Sequence, residues 1–274
     1  MILVDGVPAG QVRATDRGLA YGDGVFRTFT LTAGSPRHWR RHYAKLAADC
    51  AAIGLACPAE PLLGDELRRA CGDAPGEHAA KITVTRGDGP RGYAYAHDAI
   101  PTRIVSASPR VPYPAEYAAR GVRVMRCVLA LGHQPALAGV KHLSRLENVL
   151  ARAEWNDPSI AEGLLCDADD NAIGGTMTNL FIAANGALAT PSLARCGVAG
   201  VTRDRVLDAA RRHGVACAVR DIPWADVLAA DEVILTNSLA GAWPVREIDG
   251  RMFEAGPLAR SVQRWLESDD EESA

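Results

Sequence analysis

Three prolines fall within the ten residues "SPRVPYPAEY" (Ser108 to Tyr117), and they constrain the fold of this chain more than any other feature. Each holds φ at about −65°, donates no backbone hydrogen bond and disfavours helical geometry in the residue before it. The stretch therefore reads as an extended linker, better suited to neither helix nor strand. The chain of 274 residues divides there into a small N-terminal α/β domain over 1–107, a linker over 108–120, and a larger C-terminal mixed α/β domain over 121–274. The fold class is α+β.

Either side of the divide, strand and helix patterns alternate. "ILVDGV" and "GVFRTFTL" read as strands, and "HWRRHYAKLAADCAAIG" as a helix ending near Gly54. A second helix surrounds "DELRRAC". The β-rich runs "AAKITVTRG" and "TRIVSAS" flank the Gly/Pro-rich turn "DGPRGY". Beyond the linker, "GVRVMRCVLAL", "EGLLCDADDNAIGG", "NLFIAANGALAT" and "DEVILTNS" supply strands, the third turning at Asn185-Gly186. Helices are predicted at about Arg203 to His213 and Gly256 to Glu267. The acidic tail "ESDDEESA" reads as a frayed terminus.

Bulk properties narrow the function classes. A hydrophobic fraction of 48% supports a packed core, and a formal net charge of −3 with pI near 6.2 argues against a nucleic-acid partner. No apolar run approaches the roughly 20 residues that span a bilayer, and the first residues carry no basic leader, so no membrane is expected. The seven cysteines are scattered without zinc spacing and read as buried thiols in a reducing cytoplasm, with no metal site.

Within "ALAGVKHLSRLENVLARAEW", Leu143, Leu146, Val149, Leu150 and Ala153 recur at helical spacing. This predicts one inward-packed face, with Lys141 near the helix N-terminus. The helix dipole and Arg145 would both disfavour a cation there, pushing Lys141 toward the neutral amine that forms a Schiff base. The alternative is an ordinary solvated surface lysine. A candidate phosphate site lies in "CGVAGVTRDRVLDAARRHG": Gly197 and Gly200 precede a helix that Thr202 can cap and Gly214 can end, with Arg203 and Arg205 reinforcing the field. An ordinary capped helix fits the same letters. "LTNSLAG" (Leu235 to Gly241) is a second small polar turn after a strand.

As a set, "DRGLAYGDGVFRTF", "TRGDGPRGY", "AGVKHLSRLENVLAR", "GTMTNLF", "GVAGVTR" and "LTNSLAGAWPV" resemble, in order and spacing, the 4-amino-4-deoxychorismate lyase family. That family lies in the fold-type IV pyridoxal-phosphate group, beside the branched-chain and D-amino-acid aminotransferases. The resemblance implies a cytoplasmic homodimer that uses pyridoxal 5'-phosphate and acts on a small molecule, releasing pyruvate to leave 4-aminobenzoate in folate biosynthesis. It implies that Lys141 bonds the cofactor aldehyde and then shuttles protons. Gly200, Val201 and Thr202 would hold the phosphate with Asn237 or Ser238, and Asn179 would lie on the strand behind the ring. Arg91 and Tyr93 would meet a substrate carboxylate, with Arg27 as a second cation; a solvent-facing turn arginine is the other reading of Arg91. Two positions depart from the family pattern. Lys45 stands where a phosphate-binding arginine is usual and lacks its bidentate fork. Gly174 stands where a glutamate pairs with the pyridine nitrogen, which leaves the ring a poorer electron sink. An aminotransferase should suffer more from this than a lyase that forms an aromatic ring. An aminotransferase of the same fold, a chain that has lost the cofactor, and a lyase for a related chorismate-derived amine are the alternatives.

Overall fold

The computed structural model describes residues 1–271 apart from Ala74. The described chain forms two compact units. The first covers Met1–Val111 together with Val140–Ser144; the second covers Pro112–Gly139 and the described residues from Arg145 to Glu271. Lys141 thus groups with the first unit, although in sequence it follows the linker by more than twenty residues.

The first unit contains β1 (Ile2–Val4), β2 (Val7–Pro8), α1 (Arg17–Tyr21), β3 (Gly24–Thr32), β4 (Ser35–Pro36), α2 (Trp39–Ala52), α3 (Glu60–Cys71), β5 (Glu77–Thr85) and β6 (Thr102–Pro109). Its six-stranded sheet has the order β2-β1-β6-β5-β3-β4 and is antiparallel throughout. The sequence "VDGV" turns between β1 and β2 because Asp5 and Gly6 both take positive φ, which those two residues tolerate. Leu46 and Cys50 of α2 and Leu63 and Leu67 of α3 bury against Val25, Phe29, Ile82 and Val105 of the sheet.

The second unit contains α4 (Ala115–Arg120), β7 (Val122–Leu131), α5 (Leu146–Arg152), β8 (Ile160–Asp167), β9 (Ala172–Gly175), β10 (Asn179–Ala184), β11 (Ala187–Pro191), α6 (Val201–Arg212), β12 (Cys217–Arg220), α7 (Trp224–Ala229), β13 (Glu232–Asn237), β14 (Gly241–Ile248), β15 (Arg251–Met252) and α8 (Pro257–Glu271). The strand order is β12-β11-β10-β13-β14-β7-β8-β9, with β15 on β14. A further pairing of Asn179 with Gly174 joins β9 to β10, closing six strands into a ring. Strands β10 and β13 are apolar on both faces. Leu180, Ile182, Val233 and Leu235 enter one cluster, whereas Phe181, Ala183 and Ile234 meet Val206 of α6 and Val262 of α8 in another.

Three expectations change. Residues 115–120 of the predicted linker are helix α4, because Pro114 occupies the N-cap position, where a missing N–H is harmless. Tyr113 and Tyr117 pack edge-on against Trp243, with ring centroids 4.7 and 5.3 Å away. Helix α8 runs through Glu271, so most of the acidic tail is helical; 272–274 lie outside the described residues. The third change concerns the segment that carries Lys141.

Candidate active site

Lys141 does not begin a helix. Helix α5 starts at Leu146, after an N-cap Arg145 that makes no side-chain capping bond, so its dipole acts five residues downstream. The lysine segment lies instead alongside β3: Phe26 N–H donates to the Lys141 carbonyl (3.0 Å), Leu143 N–H to the Gly24 carbonyl (2.9 Å), and His142 bridges Val25. Backbone pairing has replaced the expected helical turn. The predicted inward face is also overturned, since Leu146, Val149 and Leu150 are 67%, 61% and 52% exposed and only Ala151 of α5 is buried.

The Lys141 Nζ stands 4.5 Å from the centre of the Phe26 ring, which Lys81 Nζ also approaches, at 4.9 Å. The main-chain N–H of Lys141 donates to Asp49 Oδ2 at 3.1 Å. Asp49 is 1% exposed and pairs with Lys45 Nζ at 2.8 Å and with the Arg27 guanidinium. Arg27, expected as a second cation for the substrate carboxylate, is a buried ion-pair partner on β3, and Lys45 reaches a carboxylate of its own helix. Asp49 escaped the sequence reading. Its signal was an aspartate four residues after Lys45, beside Leu46 and Cys50 on the buried face of α2.

Arg91 and Tyr93 sit on the loop between β5 and β6, Tyr93 being 88% exposed. Buried Arg17 organises that loop, donating to the carbonyls of Gly92 (2.9 Å), Tyr93 (3.2 Å) and Ala94 (3.3 Å), while Tyr21 Oη accepts the Gly92 N–H. Asp23 joins Arg17 and Arg86, each at 2.9 Å. Burial alone would raise the Asp23 carboxyl, but the two guanidiniums outweigh it and hold it below the ordinary carboxylate value.

The turn read from the sequence as a candidate phosphate site lies in the second unit. Gly200 is the N-cap of α6 and supplies no side-chain cap, so the first N–H groups of α6 receive no capping side chain from that residue. Thr202, expected as the cap, lies in the first turn, and its hydroxyl is 3.4 Å from Ser238 Oγ. Asn179 fixes this turn by donating to the Val198 carbonyl (2.7 Å) and accepting the Gly200 N–H (3.1 Å). A Cβ at position 200 would stand 2.2 Å from Asn179 Oδ1, which explains the glycine. Asn237 Oδ1 is engaged by Leu239 N–H and Ala240 N–H, so Asn237 shapes the second turn while Ser238 faces the first. Arg203 and Arg205, expected to reinforce the field there, are buried and bonded to Thr190 and Pro191, and to Leu266. Gly139, two residues before Lys141, pairs with this turn: its N–H donates to the Gly197 carbonyl, and Ala199 N–H donates to its own.

Gly174 is buried, and a Cβ there would meet the Thr178 carbonyl at 2.8 Å. The neighbouring strand carries Glu162, which the sequence reading also missed although a glutamate in the apolar "AEGLLCD" strand was the clue. It is 0% exposed, and its oxygens accept from Gly163 N, Thr176 N and Oγ1, Met177 N and Thr178 Oγ1. Burial pushes its carboxyl up despite those donors. With five donors it holds the 176–178 turn and has no spare role as a substitute partner for a ring nitrogen. Taken each by itself, Lys141 in the first unit offers an amine of the kind an aldehyde would bond, and the turn before α6 in the second offers backbone N–H groups and two hydroxyls of the kind a phosphate would take, while position 174 offers no carboxylate.

His133, Asp167 and Cys196 also place possible ligand atoms within 4.8 Å of one another. Asp167 already accepts from His133, Asn171, Asp169 and Arg195, and that guanidinium beside the same oxygen opposes a cation. All seven cysteines are free thiols, and no described helix is long and apolar enough to cross a membrane.

Residues 24–248 match a known sequence family, described as Amino-transferase class IV. The chain belongs to that family. It is 45% identical to a 4-amino-4-deoxychorismate lyase from Pseudomonas aeruginosa, whose crystal structure superposes with a TM-score of 0.92 over 98% of this chain and 99% of that one. It is 35% identical to an aminodeoxychorismate lyase from Vibrio harveyi, over 96% of this chain and 98% of the relative. A putative branched-chain-amino-acid aminotransferase from Methanocaldococcus jannaschii is 30% identical over 92% of this chain and 89% of its own length.

Proposed function

We propose that the protein is a pyridoxal-phosphate-dependent lyase that eliminates pyruvate from 4-amino-4-deoxychorismate to give 4-aminobenzoate. Two lyase relatives at 45% and 35% identity, aligned end to end, support this reading. The observation that carries it is the single stretch Gly139 to Lys141. There a lysine held by its backbone follows, by two residues, the glycine that pairs with the uncapped turn before α6.

Bound cofactor would supply an electron sink for the pair released when the carbon bearing nitrogen loses its proton. Lys141 would hold the cofactor covalently, then take that proton and return one, as a general base and acid. The N–H groups of Val201 and Thr202, with the hydroxyls of Thr202 and Ser238, would bind the phosphate, and Asn179 with Gly200 would keep that turn in shape. The enolpyruvyl ether leaves as pyruvate and the ring becomes aromatic, a driving force that tolerates Gly174. Lys45 would add charge at the phosphate; Arg91 and Tyr93, on the Arg17-bound loop, would meet the substrate carboxylate. The activity would serve folate synthesis in the cytoplasm. The apolar stripe Leu146, Val149 and Leu150 supports a homodimer.

The aminotransferase relative at 30% identity favours a second reading, amino transfer to a keto acid on the same scaffold. The decisive test adds pyridoxal phosphate, removes the excess, and records visible absorbance before and after borohydride, with Lys141→Ala in parallel. Wild type should trap cofactor on Lys141 and release pyruvate from aminodeoxychorismate; the variant should do neither. Turnover by Lys141→Ala would refute the scheme, and a keto-acid-dependent half-reaction without pyruvate would favour the second reading.

A further inference from the structure

A fully buried carboxylate is costly unless its oxygens are well used, and Asp49 of α2 uses both. Oδ1 accepts from Lys45 Nζ at 2.8 Å; Oδ2 accepts from the Arg27 guanidinium and from the main-chain N–H of Lys141 at 3.1 Å. The two side-chain cations would suffice to compensate the charge. The third bond is the informative one. The pairing with β3 takes the carbonyl of Lys141 and the N–H of Leu143, but the N–H of Lys141 goes to the Asp49 carboxylate. Both backbone polar groups of Lys141 are therefore fixed, one by Phe26 and the other by Asp49. The side chain leaves that fixed backbone with Nζ 4.5 Å from the Phe26 ring centre.

We infer that Asp49 is the positioning residue for Lys141, orienting the amine through a charge-assisted hydrogen bond to the lysine's own peptide N–H. The inference rests on Lys141 being the cofactor lysine, and it adds a residue that acts through Lys141 without touching the cofactor. Asp49 also ties Arg27 and Lys45 to the same point.

The test compares wild type, Asp49→Asn and Asp49→Ala by two readouts. Amide hydrogen exchange at Lys141 is measured on protein without cofactor; the rate of cofactor trapping on Lys141 by borohydride is measured with pyridoxal phosphate. Asp49→Ala should speed exchange at Lys141 by about tenfold or more, the factor expected for losing a hydrogen bond to a charged group, and slow trapping in parallel. Asp49→Asn keeps an acceptor oxygen and should restore both toward wild type while exchange elsewhere is unchanged. Wild-type exchange and trapping in Asp49→Ala would overturn the inference, as would an Asn variant no better than Ala. Should Asp49→Ala fail to fold, Asp49→Leu with Arg27→Met removes the ion pair as a unit and must show the same fast Lys141 exchange. A wild type that protects the Lys141 amide but traps no cofactor would refute the functional reading, while the exchange data would still decide whether Asp49 holds the lysine.

Discussion

At the scale of single residues, much of the candidate site depends on side chains that hold backbone in place. Asn179 and Gly200 show the logic, since the amide of one occupies the space that a methyl group on the other would need. Gly200→Ala should push Asn179 aside and disorganise the N–H groups before α6. We expect cofactor affinity to fall by about tenfold, the equivalent of one lost hydrogen bond, with the thermal midpoint nearly unchanged. Fluorescence titration of the purified variant checks this, and unaltered affinity would remove the turn from the phosphate site. The glycines of this turn were legible in the sequence because a glycine before a helix has a distinct physical consequence. Asn179's bonds to Val198 and Gly200 were not, because they join residues about twenty positions apart.

At the scale of elements, the loop between β5 and β6 is held by α1 through Arg17. Arg17→Ala should leave the carbonyls of Gly92, Tyr93 and Ala94 without that donor and cost about 3 kcal/mol, detectable in thermal unfolding and as faster proteolysis within the loop. The pH dependence follows from Asp23, whose folded value lies below the ordinary 3.8. A depressed carboxylate stabilises fully above its unfolded value, and the contribution is lost as pH falls through the folded one. Loop protection should therefore persist from neutral pH down to about 4 and weaken only in stronger acid. Proteolysis at graded pH by an acid-tolerant protease measures it. Strand β14 shows why some elements escaped sequence reading. Gly241 and Pro244 look like turn residues, yet Pro244 sits opposite Ile234 in a central strand whose register shifts between Val245 and Glu247.

At the scale of the whole molecule, α5 carries an apolar stripe whose exposure the chain's own fold does not remove. If a second copy covers it, Val149→Asp with Leu150→Asp should convert a dimer to monomers, read by sedimentation velocity, while leaving the circular dichroism spectrum intact. Doubly substituted protein that sediments as wild type would remove this helix from any interface. The same stripe marks the clearest failure of pattern reading. Apolar spacing on "LSRLENVLA" correctly announced a helix, but periodicity specifies that a face is apolar and not what covers it.

What the amino-acid sequence determined alone was local or additive: most strand and helix positions, the Asn-Gly turn at Asn185-Gly186, and a family resemblance carried by ordered motifs. Tertiary structure decided what depends on distant partners. It tied Lys141 to β3 and Asp49 in place of a helix start, turned Arg27, Arg203 and Arg205 into internal contacts, and joined β9 to β10 through Gly174 and Asn179. The physical reason is common to all of these. A charged or backbone polar group leaving water must find a partner, and which partner lies within hydrogen-bond reach is fixed only when the whole chain has packed.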